Sequence, residues 1–161
     1  MGRHLLIGHS DGGSIALIYA GGAARPGLMG VITGAAHVFN EDLSVTSITA
    51  AKAAYDAGDL RSRLAKHHSD VDHAFRGWNE VWLSPEFKDW NIEEYLPGIE
   101  VPVLAIQGEA DRYGTIAQVH AIVQGVGEQA QSLMLRACAH TPHREQPEAT
   151  FEAMLTFILS R

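Results

Sequence analysis

The chain has 161 residues, which is enough for one domain with a buried core and too few for two domains of ordinary size. Hydrophobic residues make up 46% of it and charged residues 19%, a globular composition that excludes a disordered chain. Twelve basic and nineteen acidic residues give a net charge of −7, so we expect no nucleic-acid partner.

Nothing in the sequence predicts secretion or membrane insertion. The single cysteine, Cys138, cannot form an internal disulfide. The apolar run at residues 5–7 is too short for a signal peptide, and every apolar stretch is far shorter than the roughly 20 residues that span a bilayer. We therefore expect a cytoplasmic protein that does not associate with a membrane.

The first third of the chain predicts a strand, a helix and a second strand. Residues 5–7 form an apolar run ended by Gly8, and residues 14–20 have a helical pattern. Residues 28–33 predict the second strand. This order indicates parallel strands joined by a right-handed crossover.

The middle of the chain, residues 45–83, predicts helices alone. Ser69 is the expected N-cap of the last of them. Apolar side chains spaced by four, three and four residues give this helix one apolar face. They are Val71, Phe75, Trp78 and Trp82.

The last third returns to alternating strands and helices. Strands are predicted at residues 101–106 and 133–135, and helices at residues 116–123 and 147–159. The last helix has an expected apolar face of Phe151, Met154, Leu155 and Ile158. The predicted fold class is α/β, with an open sheet of about four parallel strands and flanking helices. Its core comprises residues 1–40 and 97–161, and residues 41–96 are a helical insertion.

A nucleophile motif follows the first predicted strand. Gly8-His9-Ser10-Asp11-Gly12 fits the pattern G-x-S-x-G between a strand and a helix, where a serine hydroxyl is exposed above the sheet edge. Side chains at positions 8 and 12 would collide across so tight a turn, so both positions favour glycine. The amide of Asp11, at the start of the helix, can stabilise an oxyanion.

Two further polar residues follow predicted strands. Asp111 comes after the strand at residues 101–106, and His140 comes after the strand at residues 133–135. Open α/β sheets place their sites at the carboxyl ends of the strands, so we expect these side chains to lie near Ser10. A serine, a histidine and an aspartate can serve as nucleophile, base and orienting acid.

Three sequence blocks, in this order, resemble the α/β-hydrolase family, in particular its esterases and meta-cleavage-product hydrolases. They are LIGHSDGG at residues 6–13, VLAIQGEAD at residues 103–111 and HTPHREQPE at residues 140–148. The resemblance implies Ser10 as nucleophile, Asp111 as orienting acid and His140 as base, with no cofactor and no metal. It also implies that residues 41–96 form a lid over the pocket. The candidates for substrate binding are His9, Phe39, Trp78 and Trp82.

Some residues compete for these roles. Glu109 is a rival for the acid, but the family places the acid at Asp111. His143 is a rival for the base, although a bond within its loop or a role at the start of the last helix suits it better. A cluster of histidines and aspartates at the start of one predicted helix contains residue types that bind metals. We favour the interpretation that this cluster is a solvated helix start and not a metal site. Its members are His67, His68, Asp70, Asp72 and His73.

The resemblance begins at the strand before the nucleophile. In the family, several strands and the loop that supplies the second oxyanion donor precede this point. We therefore expect a truncated α/β-hydrolase fold whose first strand is an exposed edge. Such an edge can pair antiparallel with its copy across a two-fold axis, so the sequence predicts a homodimer.

The expected function is hydrolysis of a small-molecule carboxylic ester with a short to medium acyl chain. Hydrolysis of a carbon–carbon bond in a meta-cleavage product, or perhydrolysis, would use the same fold and triad. An inactive half-domain is the non-enzymatic alternative. A serine nucleophile disfavours relatives that use aspartate at that position, such as haloalkane dehalogenases and epoxide hydrolases.

Overall fold

The computed structural model describes residues 2–22 and 24–161. One parallel sheet has the order β1-β2-β3-β4, which confirms the predicted open sheet of about four strands. The third strand begins two residues later than predicted, because Pro102 has no N–H to donate to a ladder. The strands are β1 (His4–His9), β2 (Leu28–Gly34), β3 (Val103–Gly108) and β4 (Ala130–Leu135).

The helices follow the predicted alternation, with one addition. A short helix directly after His140 was not predicted. The α-helices are α1 (Asp11–Gly22), α2 (Asp42–Asp56), α3 (Asp59–Leu64), α4 (Val71–Trp82), α5 (Ile116–Val126), α6 (Pro142–Glu145) and α7 (Pro147–Leu159). Short 3₁₀ turns lie at Pro85–Phe87, Glu93–Gly98 and Gly127–Gln129.

The chain divides into two compact units. The first comprises the described residues of Met1–Phe39 together with Asn91–Arg161, and it contains the whole sheet with α1 and α5 to α7. The second is Asn40–Trp90, which contains α2, α3 and α4.

One core cluster of the first unit lies between the sheet and α7. Phe157 is buried against β2 and packs beside Gly30, where any side chain would crowd its ring. Phe151 and Leu155 are 53% and 56% exposed, so the predicted apolar face of α7 is wrong at these two positions. Met154 and Ile158 do pack against the core. Its buried members are Ile32, Leu104, Ile106, Leu135, Cys138 and Phe157.

Aromatic rings pack together in the second unit. Tyr55 of α2 stacks on Phe75 of α4 with their ring centroids 3.8 Å apart. Trp82, at the end of α4, packs against Phe87 and Trp90. The predicted face of α4 is confirmed, since Val71, Phe75 and Trp82 are buried and Trp78 is partly buried.

The start of α4 differs from the prediction. Asp70, not Ser69, is the N-cap, and its carboxylate accepts a hydrogen bond from the His73 amide at 3.0 Å. Asp72 pairs with Arg61 of α3 at 2.5 Å and accepts a bond from the Tyr55 hydroxyl. These hydrogen bonds lower the pKa of the Asp72 carboxyl to about 2.

The described part of the chain has neither a cluster of metal ligands nor a membrane-spanning helix. No three of its His, Cys, Asp and Glu side chains lie close enough together to hold a metal ion. Within residues 2–22 and 24–161, no helix has both the length and the apolar character that crossing a bilayer requires.

Candidate active site

Ser10 occupies a tight turn between β1 and α1. Its φ of +53° lies in the left-handed region, which is uncommon for a residue with a side chain. Its amide donates to the Gly34 carbonyl of β2 at 2.8 Å, and its own carbonyl accepts from the Gly13 amide at 2.8 Å. These bonds hold the backbone in the strained conformation and leave the hydroxyl beyond the end of the strand.

One of the two steric constraints predicted for the glycines of this turn is confirmed, and the other is wrong. A side chain at Gly8 would overlap the backbone of Gly12, so the expectation for position 8 is confirmed. A Cβ at Gly12 would meet no described atom within 4 Å beyond its own helix and its chain neighbours, so the expectation for position 12 is wrong. Gly13 carries the second constraint, because a Cβ there would lie 2.7 Å from the Ala36 Cβ.

The side chains of Ser10, His140 and Asp111 form a row of hydrogen-bonding contacts, with His140 in the middle. The Ser10 Oγ is 3.0 Å from the His140 Nε2. The His140 Nδ1 is 2.9 and 3.0 Å from the two carboxylate oxygens of Asp111. A carboxylate accepts, so Nδ1 carries the hydrogen, and the Nε2 of the neutral ring is free to accept from the serine hydroxyl.

His140 reaches Ser10 from the opposite edge of the sheet. Its loop follows β4, whereas Ser10 follows β1. The loop crosses the end of β3 at Gly108, where a side chain would overlap the carbonyl oxygens of Cys138 and Ala139. The Ala110 amide donates to the Cys138 carbonyl at 2.9 Å and ties the crossing loop to the loop that carries Asp111.

The acid side chain is buried, and its rival is not. The side chain of Asp111 is 1% exposed, and that of His140 is 18% exposed. Asp111 also accepts a hydrogen bond from the Tyr113 amide at 2.8 Å. Glu109 is exposed, and the His140 Nδ1 lies against Asp111.

Several side chains around His140 were missed by the sequence analysis. The Tyr113 ring lies 4.7 Å from the imidazole, and burial with the nearby Asp111 charge raises the pKa of its hydroxyl. The buried His37 ring lies 5.8 Å away. Glu145 bonds to the loop backbone on both sides of His140. Tyr113 and His37 each follow a predicted strand, which is the signal that could have found them.

The candidates for substrate binding lie in both units. His9 is half-buried, and its Nε2 is 2.7 Å from the His140 carbonyl oxygen. Phe39 ends the first segment of the first unit, where its carbonyl accepts a bond from Gln118. Trp78 and Trp82 belong to α4 of the second unit.

Solved structures similar to this chain have one fold. A serine hydrolase involved in carbazole degradation superposes with a TM-score of 0.74 at 16% identity, covering 99% of this chain. A proline iminopeptidase from Mycobacterium smegmatis gives a TM-score of 0.70 at 18% identity and the same coverage. An esterase from a Rhodococcus species gives 0.69 at 17% identity, again over 99% of this chain.

The likeness extends over part of each of these proteins. This chain spans 65% of the carbazole-degradation hydrolase and 66% of each of the other two. No protein-family model matches the sequence, and no curated protein matches it. The chain has the α/β-hydrolase fold, over about two thirds of the length of these proteins.

Proposed function

We propose that this chain is a serine hydrolase that cleaves carboxylic esters with short to medium acyl chains. The observation that supports the proposal is the linear arrangement of Ser10, His140 and Asp111 at the carboxyl ends of β1, β4 and β3. The strained backbone of Ser10 and the burial of Asp111 add to it, because both fix the positions of the reacting groups.

The proposed reaction has two steps, acylation and deacylation. In the first, the Ser10 Oγ attacks the ester carbonyl while the His140 Nε2 takes its proton. Asp111 stabilises the resulting imidazolium, and the Asp11 amide donates to the oxyanion. The intermediate collapses, and His140 returns the proton to the leaving alcohol. Water, activated by His140, then hydrolyses the acyl-serine to the acid. No cofactor takes part.

The substrate-binding part of the proposal comes from the family resemblance. Residues 41–96 would act as the lid. His9, next to Ser10, would border the pocket, and Phe39, Trp78 and Trp82 would contact the acyl or alcohol group. Trp78 is the partly buried member of the α4 face, so part of its indole surface is accessible to a ligand. Replacing it with alanine should raise KM more than it lowers kcat.

Hydrolysis of p-nitrophenyl butyrate tests the function. We expect the wild type to turn over and the Ser10→Ala variant to lose about 10³-fold or more of kcat/KM. Ser62→Ala is the matched control, because the Ser62 hydroxyl donates to the Gly58 carbonyl at the start of α3, and it should keep full activity. A fluorophosphonate should label the wild type at Ser10. Folded wild type that neither hydrolyses nor labels would identify an inactive half-domain.

We also infer that two copies of the chain pair through β1. The His4 and Ser10 amides point to β2, so the alternate amides of Leu5, Ile7 and His9 point to the open edge. No charged residue lies within β1, whereas Arg3 precedes it and Asp11 follows it. An antiparallel copy therefore brings opposite charges together at both ends of the paired strands.

A further inference from the structure

Three side-chain hydrogen bonds hold the backbone around His140. The two carboxylate oxygens of Glu145 accept from the Ala139 amide at 2.7 Å and from the Thr141 amide at 2.9 Å. The His9 Nε2 lies 2.7 Å from the His140 carbonyl oxygen. A carbonyl oxygen only accepts, so the His9 Nε2 must carry a hydrogen and donate it. We call these three bonds the backbone clamp.

The backbone clamp is separate from the bonds of the His140 ring. The ring bonds to Ser10 and Asp111, whereas the clamp bonds to the Ala139 amide and to the peptide group between His140 and Thr141. Its two members come from different sides of the loop. His9 directly precedes Ser10 at the end of β1, and Glu145 ends α6. The clamp therefore fixes the loop both to the nucleophile turn and to the helix that follows the base.

The surroundings of His9 favour its neutral, donating form. Its ring lies 5.1 Å from the His140 ring and meets the His143 ring edge-on at 5.0 Å. The pKa of His9 is lowered, mainly by burial, and the neighbouring His140 and His143 also lower it. The bond to the His140 carbonyl and the charge of Asp111 raise this pKa, but the lowering effects are larger. A neutral His9 matters because a second cation would oppose the imidazolium that His140 becomes during catalysis.

We propose that His9 and Glu145 are positioning residues that hold the His140 imidazole in line with Ser10 through the backbone clamp. The proposal rests on the proposed hydrolase function. The loop carries His140 across the sheet from β4 towards Ser10. Without the clamp, a small shift of the loop backbone would lengthen the distance between the Ser10 Oγ and the His140 Nε2. A misplacement of about 1 Å can cost on the order of 100-fold in rate.

Ester kinetics on His9 variants test the donor side. His9→Phe keeps a ring but removes the donor, and we expect kcat to fall at least about tenfold with KM nearly unchanged. His9→Gln can still donate through its side-chain amide and should recover most of kcat. His143→Phe is the matched control, because it alters a ring in contact with His9 but no bond of the backbone clamp. Equal kcat in His9→Phe and wild type would overturn the proposal.

Glu145 variants test the acceptor side and the coupling. Glu145→Ala removes both acceptors, whereas Glu145→Gln keeps one oxygen and should lie between Glu145→Ala and wild type in kcat. Because His9 and Glu145 hold the same loop, the double variant His9→Phe/Glu145→Ala should lose less than the product of the two single losses. Independent, multiplying losses would contradict a shared action on one loop.

Hydrogen exchange separates a failure of the inference from a failure of the proposed function. The Ala139 and Thr141 amides should be protected in the wild type and lose protection in Glu145→Ala. Unprotected amides in the wild type would overturn the backbone clamp whatever the activity. If the wild type hydrolyses ester no faster than Ser10→Ala, the proposed function fails instead, and the positioning role fails with it.

Discussion

The two edges of the sheet differ in chemistry. At the β1 edge, Ile7 is 58% exposed, and exposed apolar side chains flank it on both sides, Ile15 of α1 and Phe151 of α7. At the β4 edge, the exposed side chains are Gln131 and Ser132. Polar residues on an edge strand discourage pairing with another chain, whereas an apolar edge favours it.

The same two edges carry the two ends of the candidate active site. Ser10 follows the apolar edge strand, and the loop of His140 follows the polar one. The site is therefore assembled across the full width of the sheet, and its geometry depends on how the loop after β4 crosses β3. The β1 edge is therefore suited to pairing with another chain, whereas the β4 edge carries the loop that brings His140 to Ser10.

The largest stability effect is expected on α7, which has a buried and an exposed phenylalanine. Phe157→Ala should cost about 3–5 kcal/mol of unfolding free energy, because it leaves a cavity between α7 and β2. Phe151→Ala, at the β1 edge, should cost well under half of that, since Phe151 is 53% exposed. Urea unfolding measures both. Equal losses would mean that Phe151 is buried in solution.

Breaking the crossing at β3 should have the next largest effect. In Gly108→Ala the new methyl group would overlap the Cys138 and Ala139 carbonyls, so the loop that carries His140 must shift. We expect a loss of about 1–3 kcal/mol in stability and of about 100-fold in kcat/KM.

Gly12→Ala is the matched control for that substitution. A Cβ at Gly12 has open space and lies in the first turn of α1, so the variant should keep its stability or gain up to about 1 kcal/mol. If Gly108→Ala retains wild-type activity and stability, the loop does not cross β3 in solution as described.

The positions of the candidate site residues could be predicted from the sequence, whereas some of the steric constraints around them could not. The proximity of Ser10, Asp111 and His140 could be predicted from the chain alone, because each follows an apolar strand and parallel strands end at one edge. The constraints at Gly13 and Gly108 could not, since they arise from Ala36 and Cys138, which are distant in sequence.

Errors in the helices have similarly local causes. Ser69 and Asp70 are both good N-cap residues, and composition cannot decide between neighbours. The apolar residues of α7 surround much of the helix, so periodicity alone cannot tell that Phe157 is buried and Phe151 is exposed. The contacts of Glu145 with the loop of His140 depend on α6, a helix too short to leave a periodic signal.

One charge should break the proposed pairing of β1 edges. Ile7→Lys places an ammonium group on the apolar edge and should convert a dimer into a monomer, raising the dimer dissociation constant by about tenfold or more. Ser132→Lys puts the same charge on the β4 edge and should leave the oligomeric state unchanged. Light scattering after size-exclusion chromatography gives the mass of each. A monomeric wild type would exclude the pairing of β1 strands.

The smallest effect concerns the pH dependence of stability at the β1 edge. Burial lowers the pKa of His9 below its ordinary value of 6.5, so the unfolded chain takes up a proton there before the folded chain does. Stability should therefore fall as the pH drops below about 6.5 and level off once the folded chain is also protonated at His9.

The variant His9→Gln removes this proton uptake, so its stability should fall less steeply with pH, by an amount equivalent to less than one proton. The control variant is His120→Gln, which changes an exposed histidine of α5. Urea unfolding of the three proteins between about pH 7.5 and pH 5 measures the slopes. A slope in His9→Gln as steep as in the wild type would show that the folded and unfolded chains take up the His9 proton alike, which contradicts a lowered pKa of His9 in the folded protein.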